Sequence, residues 1–187
     1  MKKMRKILLT TLVIILSISV FAACGNESTE STESTENTGN EENVITNFGS
    51  FESLTFEGDK VTESVFANSK LTMINVWGTF CGPCVNEMPD LEKLQKEYDK
   101  EEFQLIGIVS DKMTPGDESA REIIDKTGVT YLQIMNSESL AHGTLAAVQA
   151  VPTTIFVDKD GEIVNVAVGG KTYENWKTLV EQVLENM

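Results

Sequence analysis

Histidine is nearly absent from this chain of 187 residues: there is one, His142, with three cysteines and 15 Lys and Arg against 29 Asp and Glu, for a net charge of −14. Each scarcity excludes something. One imidazole leaves little room for a His-based metal centre. Three cysteines cannot staple a small secreted scaffold, and a chain of this length does not need stapling. So few cations argue against nucleic acid as a partner, because phosphates are gripped by clustered Lys and Arg. The length suits one domain plus a tail. What remains is an acidic globular domain whose chemistry must rest on its cysteines.

Long apolar runs are also scarce, with one exception at the start. Lys2, Lys3, Arg5 and Lys6 form a basic stretch, and Ile7 to Ala23 (ILLTTLVIILSISVFAA) follows without a charge. A basic region, an apolar run and small residues at its end mark a secretory signal. A membrane anchor competes with that reading, since these 17 residues sit at the short limit of a span of roughly 17–25. The next residue separates the two. Phe21-Ala22-Ala23-Cys24 resembles the lipobox of bacterial lipoproteins, with Phe21 where Leu is usual. The resemblance implies cleavage before Cys24, lipidation of Cys24, and attachment to the cell membrane on its extracytoplasmic face. Cleavage removes four cations and no acids, taking the net charge from −14 to −18. Lipid, not charge, would then hold the protein against anionic headgroups.

From Gly25 to about Asn47 the chain repeats Glu-Ser-Thr with almost no apolar content. Such a stretch cannot bury enough surface to offset its chain entropy, so a disordered, self-repelling tether is expected. The organisation read from the sequence is therefore a signal over 1–23, a lipidated cysteine and tether over 24–47, and a folded domain over 48–187.

Within that domain, Phe51 to Phe56 alternates, Glu57-Gly58-Asp59 turns and Lys60 to Thr62 resumes, which predicts a hairpin. Leu71 to Trp77 (LTMINVW) is a nearly continuous apolar run, the mark of a parallel strand buried on both faces. Val85, Met88, Leu91, Leu94 and Tyr98 then fall at helical steps. Phe103 to Val109 predicts a strand, 117–126 a helix, 129–135 a strand and 137–148 a helix. Thr154 to Asp158 and Ile163 to Val168 read as an antiparallel hairpin, and the stripe from Trp176 to Leu184 as a last helix. Alternation of strand and helix implies an α/β domain with a parallel sheet and helices on both faces, made mixed by the closing hairpin.

Cys81-Gly82-Pro83-Cys84 stands where the LTMINVW strand gives way to the following helix. Two thiols at this spacing can close a small disulfide ring. The helix start offers unpaired N–H groups and a positive dipole end, which lower a cysteine pKa from its free value to about 7 in such motifs. Cys81, ahead of the first turn, is expected to be the exposed nucleophile; Cys84, inside it, is expected to be buried and to resolve the mixed disulfide. A zinc half-site would need a second Cys or His pair, and outside the motif only Cys24 and His142 are present. Haem attachment would need His at position 85, which is Val. A structural disulfide closing so small a loop constrains the unfolded chain little.

Trp77-Gly-Thr-Phe-Cys81-Gly-Pro-Cys84-Val-Asn-Glu87-Met-Pro89, with Val151-Pro152-Thr153-Thr154 some seventy residues on, resembles the TlpA/ResA-like branch of the thioredoxin superfamily over about residues 48–187. These are membrane-tethered extracytoplasmic thiol-disulfide oxidoreductases. The resemblance implies a thioredoxin-like fold with an inserted strand and helix. It makes Cys81 and Cys84 the catalytic redox pair, with no metal or other cofactor. Trp77, Val151 and Pro152 become substrate-binding residues: Trp77 flanks the active-site face, Pro152 is a cis-proline opposite the cysteines, and Val151 offers backbone hydrogen bonds to an extended substrate. Pro89 would kink the active-site helix. Asn75 occupies the position of the buried acid of cytoplasmic thioredoxins, and Glu87 the position where this branch places a carboxylate. Glu87 lies one turn after Cys84 on the same helix face, where a carboxylate can take the proton of a buried thiol. A plainer role for Glu87 is to complement the helix dipole from a solvated face. The remaining acids read as solvated.

The Gly-Pro dipeptide matches the reducing thioredoxins, with potentials near about −270 mV against about −120 mV for strong oxidants. The first function expected is therefore protein-disulfide reduction by a monomer. Its electrons would come from a membrane dithiol carrier of the CcdA type, and its substrates would be apocytochrome thiols or oxidised surface proteins. A disulfide-forming oxidase is the second reading. A peroxidase-type redoxin lacks its Pro, Thr and single-Cys pattern around Cys81, and a binding lipoprotein on a thioredoxin fold would not need both cysteines.

Overall fold

The computed structural model describes residues 45–187; the signal segment, Cys24 and the tether up to residue 44 lie outside the described residues. The sheet is built on strand β3 (Leu71–Trp77), whose seven residues are all buried, as expected of a strand covered on both faces. It is flanked by β4 (Phe103–Val109), then β5 (Leu132–Met135), both parallel. On its other side runs antiparallel β6 (Thr153–Asp158), followed by antiparallel β7 (Ile163–Val168). The order β5-β4-β3-β6-β7 is the mixed sheet that the sequence predicts. A short hairpin of β1 (Glu52–Leu54) and β2 (Lys60–Thr62) stands apart and is tied to β5 where Phe56 N–H donates to Gln133 O at 2.9 Å.

Helices α1 (Gly82–Gln95), α2 (Glu118–Thr127) and α4 (Tyr173–Glu185) cover one face. There Leu71, Met73, Trp77, Leu105 and Phe156 meet Met88, Leu91, Ala120, Trp176 and Val180. The opposite face packs Ile74, Val76, Ile106 and Ile155 against Phe48, Phe51, Phe66 and Leu140. Burial of one such side chain stabilises the fold by roughly 1.5–3 kcal/mol. The alternation along β3 and β4 sends their apolar side chains to one core or the other. Gly128 closes α2 in the left-handed conformation (φ 69°), where any side chain would be strained.

Several boundaries differ from the sequence reading: the strand predicted over 129–135 forms only over Leu132–Met135, and the helix whose stripe reached Tyr98 ends at Gln95. The predicted helix over 137–148 is broken: α3 (Glu138–His142) stops at Gly143, whose φ and ψ of −91° and −128° are not helical, and a 3-10 turn follows over Thr144–Ala147. Ordered structure also begins before residue 48. Thr46 O accepts from Ile163 N–H at 2.7 Å and Asn47 bridges Glu162. This capture is backbone pairing, which leaves no mark in hydropathy. No helix among the described residues is long and apolar enough to cross a membrane.

Candidate active site

Strand β3 ends at Trp77, and after four residues the chain enters α1 at Gly82. Thr79 pins that loop, its N–H and hydroxyl donating to the Asp111 carboxylate at 2.9 and 2.5 Å. Cys81 is the N-cap of α1: its extended backbone turns into the helix and its Sγ accepts from the Cys84 N–H at 3.2 Å. Pro83 sits in the first turn, where its missing donor costs nothing. Cys81 and Cys84 are joined by a disulfide with an S–S distance of 2.01 Å. Cys81 keeps 6% of its surface and Cys84 none. The expected order of accessibility holds, although Cys81 is a rim residue and not an exposed one. On reduction, the same N–H and the helix start favour a thiolate on Cys81.

Around the pair, Phe80 is 74% exposed. It lines a cleft of about 460 Å³ with Ser110, Leu145, Val148, Ala150 and Val151. The Val151–Pro152 bond is cis. Among the described residues, neither the N–H nor the C=O of Val151 has a backbone partner, whereas the Pro152 carbonyl accepts from Gly169 N–H at 2.8 Å. The structure corrects the role expected of Trp77. Its side chain is fully buried in the core under α1 and its Nε1–H donates to Gln133 Oε1 at 3.0 Å, so it cannot meet a substrate. Its odd position in β3 turns it inward. Phe80, which the sequence reading passed over, holds the surface place; an aromatic next to Cys81 was the available signal.

Glu87 is not on a solvated face. Only 4% exposed, it takes hydrogen bonds from Asn75 Nδ2 on Oε1 (3.0 Å), and from Trp176 Nε1 (3.1 Å) and Lys171 N (3.1 Å) on Oε2. Gly170 leaves room beside the last bond, since a Cβ there would come 3.2 Å from Oε2. Burial pushes the Glu87 carboxyl above its ordinary value, and the three donors and the Lys171 charge offset that only in part. Its edge reaches an open cleft also lined by Pro83, Asn86, Asp90 and Lys171.

Beneath it a polar row crosses the sheet: Thr154 on β6, Asn75 on β3, Gly107 on β4 and Gln133 on β5 are successive register partners. A methyl at Gly107 would collide with the Gln133 carboxamide, so the glycine lets that side chain lean across β4 to Trp77. Asn75 Nδ2 reaches Thr154 Oγ1 at 3.4 Å as well as Glu87, while Asn75 Oδ1 is buried and, among the described residues, without a partner. Trp176, Lys171, Thr154 and Gln133 come from distant segments, and nothing local in the sequence links them to Glu87. Among the described residues no cluster of His, Cys, Asp and Glu is arranged to hold a metal.

A disulfide at a helix start, one sulfur at the rim and one enclosed, is built for thiol-disulfide exchange. Comparison with known proteins agrees. The Redoxin family profile matches residues 41–184. The thiol-disulfide oxidoreductase ResA of Halalkalibacterium halodurans is 31% identical over 116 residues, which are 62% of this chain and 61% of that protein. The thioredoxin-like protein YneN of Bacillus subtilis is 29% identical over 135 residues, 72% of this chain and 75% of that one. Among solved structures, a thiol:disulfide interchange protein of the thioredoxin family from Chlorobium tepidum superimposes with a TM-score of 0.63 at 24% identity, covering 74% of this chain and 96% of that one. The fold is thioredoxin-like.

Proposed function

The chain belongs to the Redoxin family, and on that premise we propose that it is a protein-disulfide reductase held by a lipidated Cys24 at the extracytoplasmic face of the membrane. The observation that carries the reading is the placement of the two cysteines at the N-terminus of α1, Cys81 reaching the surface next to Phe80 and Cys84 enclosed. The substrates are disulfides of apocytochromes or of oxidised surface proteins, and a membrane dithiol carrier of the CcdA type supplies the electrons.

In the reduced protein the Cys81 thiolate attacks one sulfur of the substrate disulfide. That S–S bond breaks, the second substrate sulfur leaves with the electron pair and takes a proton, and Cys81 is left in a mixed disulfide. Cys84 must then ionise, which burial opposes. Glu87, one turn away and also buried, takes the Cys84 proton. The Cys84 thiolate attacks Cys81 Sγ, the Cys81–substrate bond breaks, and the substrate leaves as a thiol. Two electrons pass from the dithiol to the substrate. The cleft that Glu87 shares with Asp90 and Lys171 returns its proton to solvent.

The test is Cys84→Ser in the full-length protein. Turnover in insulin reduction should vanish while Cys81 stays locked to its substrates, which can be isolated and identified. Turnover at the wild-type rate, with no adduct on Cys81, would remove the reading. Attachment is tested separately: Cys24→Ala should abolish labelling by a radioactive fatty acid, and undiminished labelling would refute the anchor.

A further inference from the structure

Glu87 Oε2 is filled by two donors, Trp176 Nε1 and Lys171 N, so Oε1, which among the described residues takes a hydrogen bond from Asn75 Nδ2 alone, is the oxygen open to a proton. A proton placed there would face an NH₂ group, a donor against a donor. The Asn75 carboxamide is the one group in this set that presents both a donor and an acceptor. Its acceptor, Oδ1, is buried and unpartnered among the described residues, an uncommon state for a buried polar atom. Its neighbour Thr154 Oγ1 is a hydroxyl, which accepts from Nδ2 as found and can donate instead.

We propose that Asn75 and Thr154 form a reversible hydrogen-bond switch that follows the proton on Glu87. With Glu87 ionised, Asn75 donates Nδ2–H to Oε1 and to Thr154 Oγ1. When Oε1 receives the Cys84 proton, the carboxamide turns half a revolution. Oδ1 then accepts from the Glu87 O–H and from the Thr154 hydroxyl, and Nδ2 takes the place Oδ1 held. Among the described residues no bond on the Oδ1 side is broken by the turn, and Nδ2 in its turn stands unpartnered there. Asn75 and Thr154 are positioning residues that act through Glu87. An aspartate at position 75 would set a second carboxylate against Glu87, whereas the amide serves both proton states without adding charge. The other ionisable groups facing Glu87 are Lys171 from the turn before α4, Asp90 across the cleft, and the Tyr131 phenol, which burial keeps neutral.

The switch rests on Glu87 being the proton acceptor, and the test separates the two ideas. Reduced full-length protein is mixed with 5,5′-dithiobis(2-nitrobenzoate) in a stopped-flow instrument; the first thiolate released reports attack by Cys81 and the second reports resolution by Cys84. Asn75→Leu should slow the second release by at least about tenfold, the low side of general-base assistance, and leave the first unchanged. It should add nothing in the Glu87→Gln background. Asn75→Asp, which keeps an acceptor, should recover most of the rate with its pH profile displaced upward. A Glu87→Gln variant as fast as wild type would overturn the role of Glu87, and the switch with it. A slow Glu87→Gln beside a fast Asn75→Leu, or an Asn75→Asp as slow as Asn75→Leu, would overturn the switch alone. An independent measurement uses the wild-type protein. Nuclear Overhauser contacts between the ¹⁵N-labelled Asn75 NH₂ and the Glu87 side chain should be strong when Glu87 is ionised and lost when it is protonated. Contacts unchanged through that titration would refute the turn.

Discussion

Two glutamates of α1, Glu87 and Glu92, are buried to almost the same degree, 4% and 6% exposed, yet their surroundings treat the charge in opposite ways. Glu87 is held by neutral donors: a carboxamide, an indole and a backbone N–H. Burial wins there, and the carboxyl binds its proton more tightly than usual. Burial also pushes Glu92 upward, but Lys96 at 2.7 Å and the Thr130 N–H and hydroxyl, both at 2.7 Å, outweigh it and hold the carboxyl below its ordinary value. Glu92 therefore stays charged and ties the segment before β5 to the helix. Glu87 takes up a proton more readily than an ordinary carboxyl, which suits the proton-accepting role proposed for it. Burial alone does not mark a catalytic carboxylate; the chemistry of its partners does.

The largest test of this contrast is kinetic. Glu87→Gln should slow resolution of mixed disulfides by up to about 10²–10⁴, and by no less than about tenfold, whereas Glu92→Gln should stay within about twofold of wild type. Trapped adducts, read by mass spectrometry, should build up in the first variant only. Equal behaviour of the two variants would erase the distinction.

Stability should sort them the other way. Glu92→Gln weakens charge-assisted bonds to Thr130 and should cost roughly 1–3 kcal/mol in urea unfolding. Lys96 adds little to that, because its side chain is 65% exposed and exposed pairs are worth about 0–1 kcal/mol. Glu87→Gln relieves a buried charge and should cost less than Glu92→Gln at neutral pH. A larger loss from Glu87→Gln would make Glu87 the structural member of the pair.

The smallest effect, and the sharpest in sign, is the pH dependence. A carboxyl with a raised folded pKa binds more protons folded than unfolded, so its contribution falls as pH climbs from about 4.3 through the raised value. A carboxyl with a lowered folded pKa contributes stability present above about 4.3 and lost as pH falls through the lowered value. Relative to wild type, Glu87→Gln should therefore gain stability on going from acid to neutral pH, while Glu92→Gln should lose it on leaving the acid range. Unfolding curves of the oxidised protein between about pH 3 and 8 would show both slopes. Slopes of the same sign would break the comparison.

What the sequence determined by itself is whatever depends on neighbours along the chain. The run LTMINVW specifies a strand buried on both faces, the Cys81-Gly-Pro-Cys84 spacing fits a helix start, and period-two and helical stripes give the elements in chain order. Val151-Pro152 ahead of a strand, and Glu87 one turn beyond Cys84, were legible for the same reason. The rest depends on partners far apart in sequence, which packing alone brings together. Packing sends Trp77 inward to Gln133 and leaves Phe80 at the rim. It brings Asn75, Lys171 and Trp176 onto one carboxylate, and it places Lys96 and Thr130 around Glu92, a residue whose acidic side chain alone reads as solvated. The proton affinity of a buried group is the balance between the cost of losing water and the bonds that replace it. The first is set by how segments pack, the second by which distant side chains arrive, and neither is written in the spacing of nearby residues.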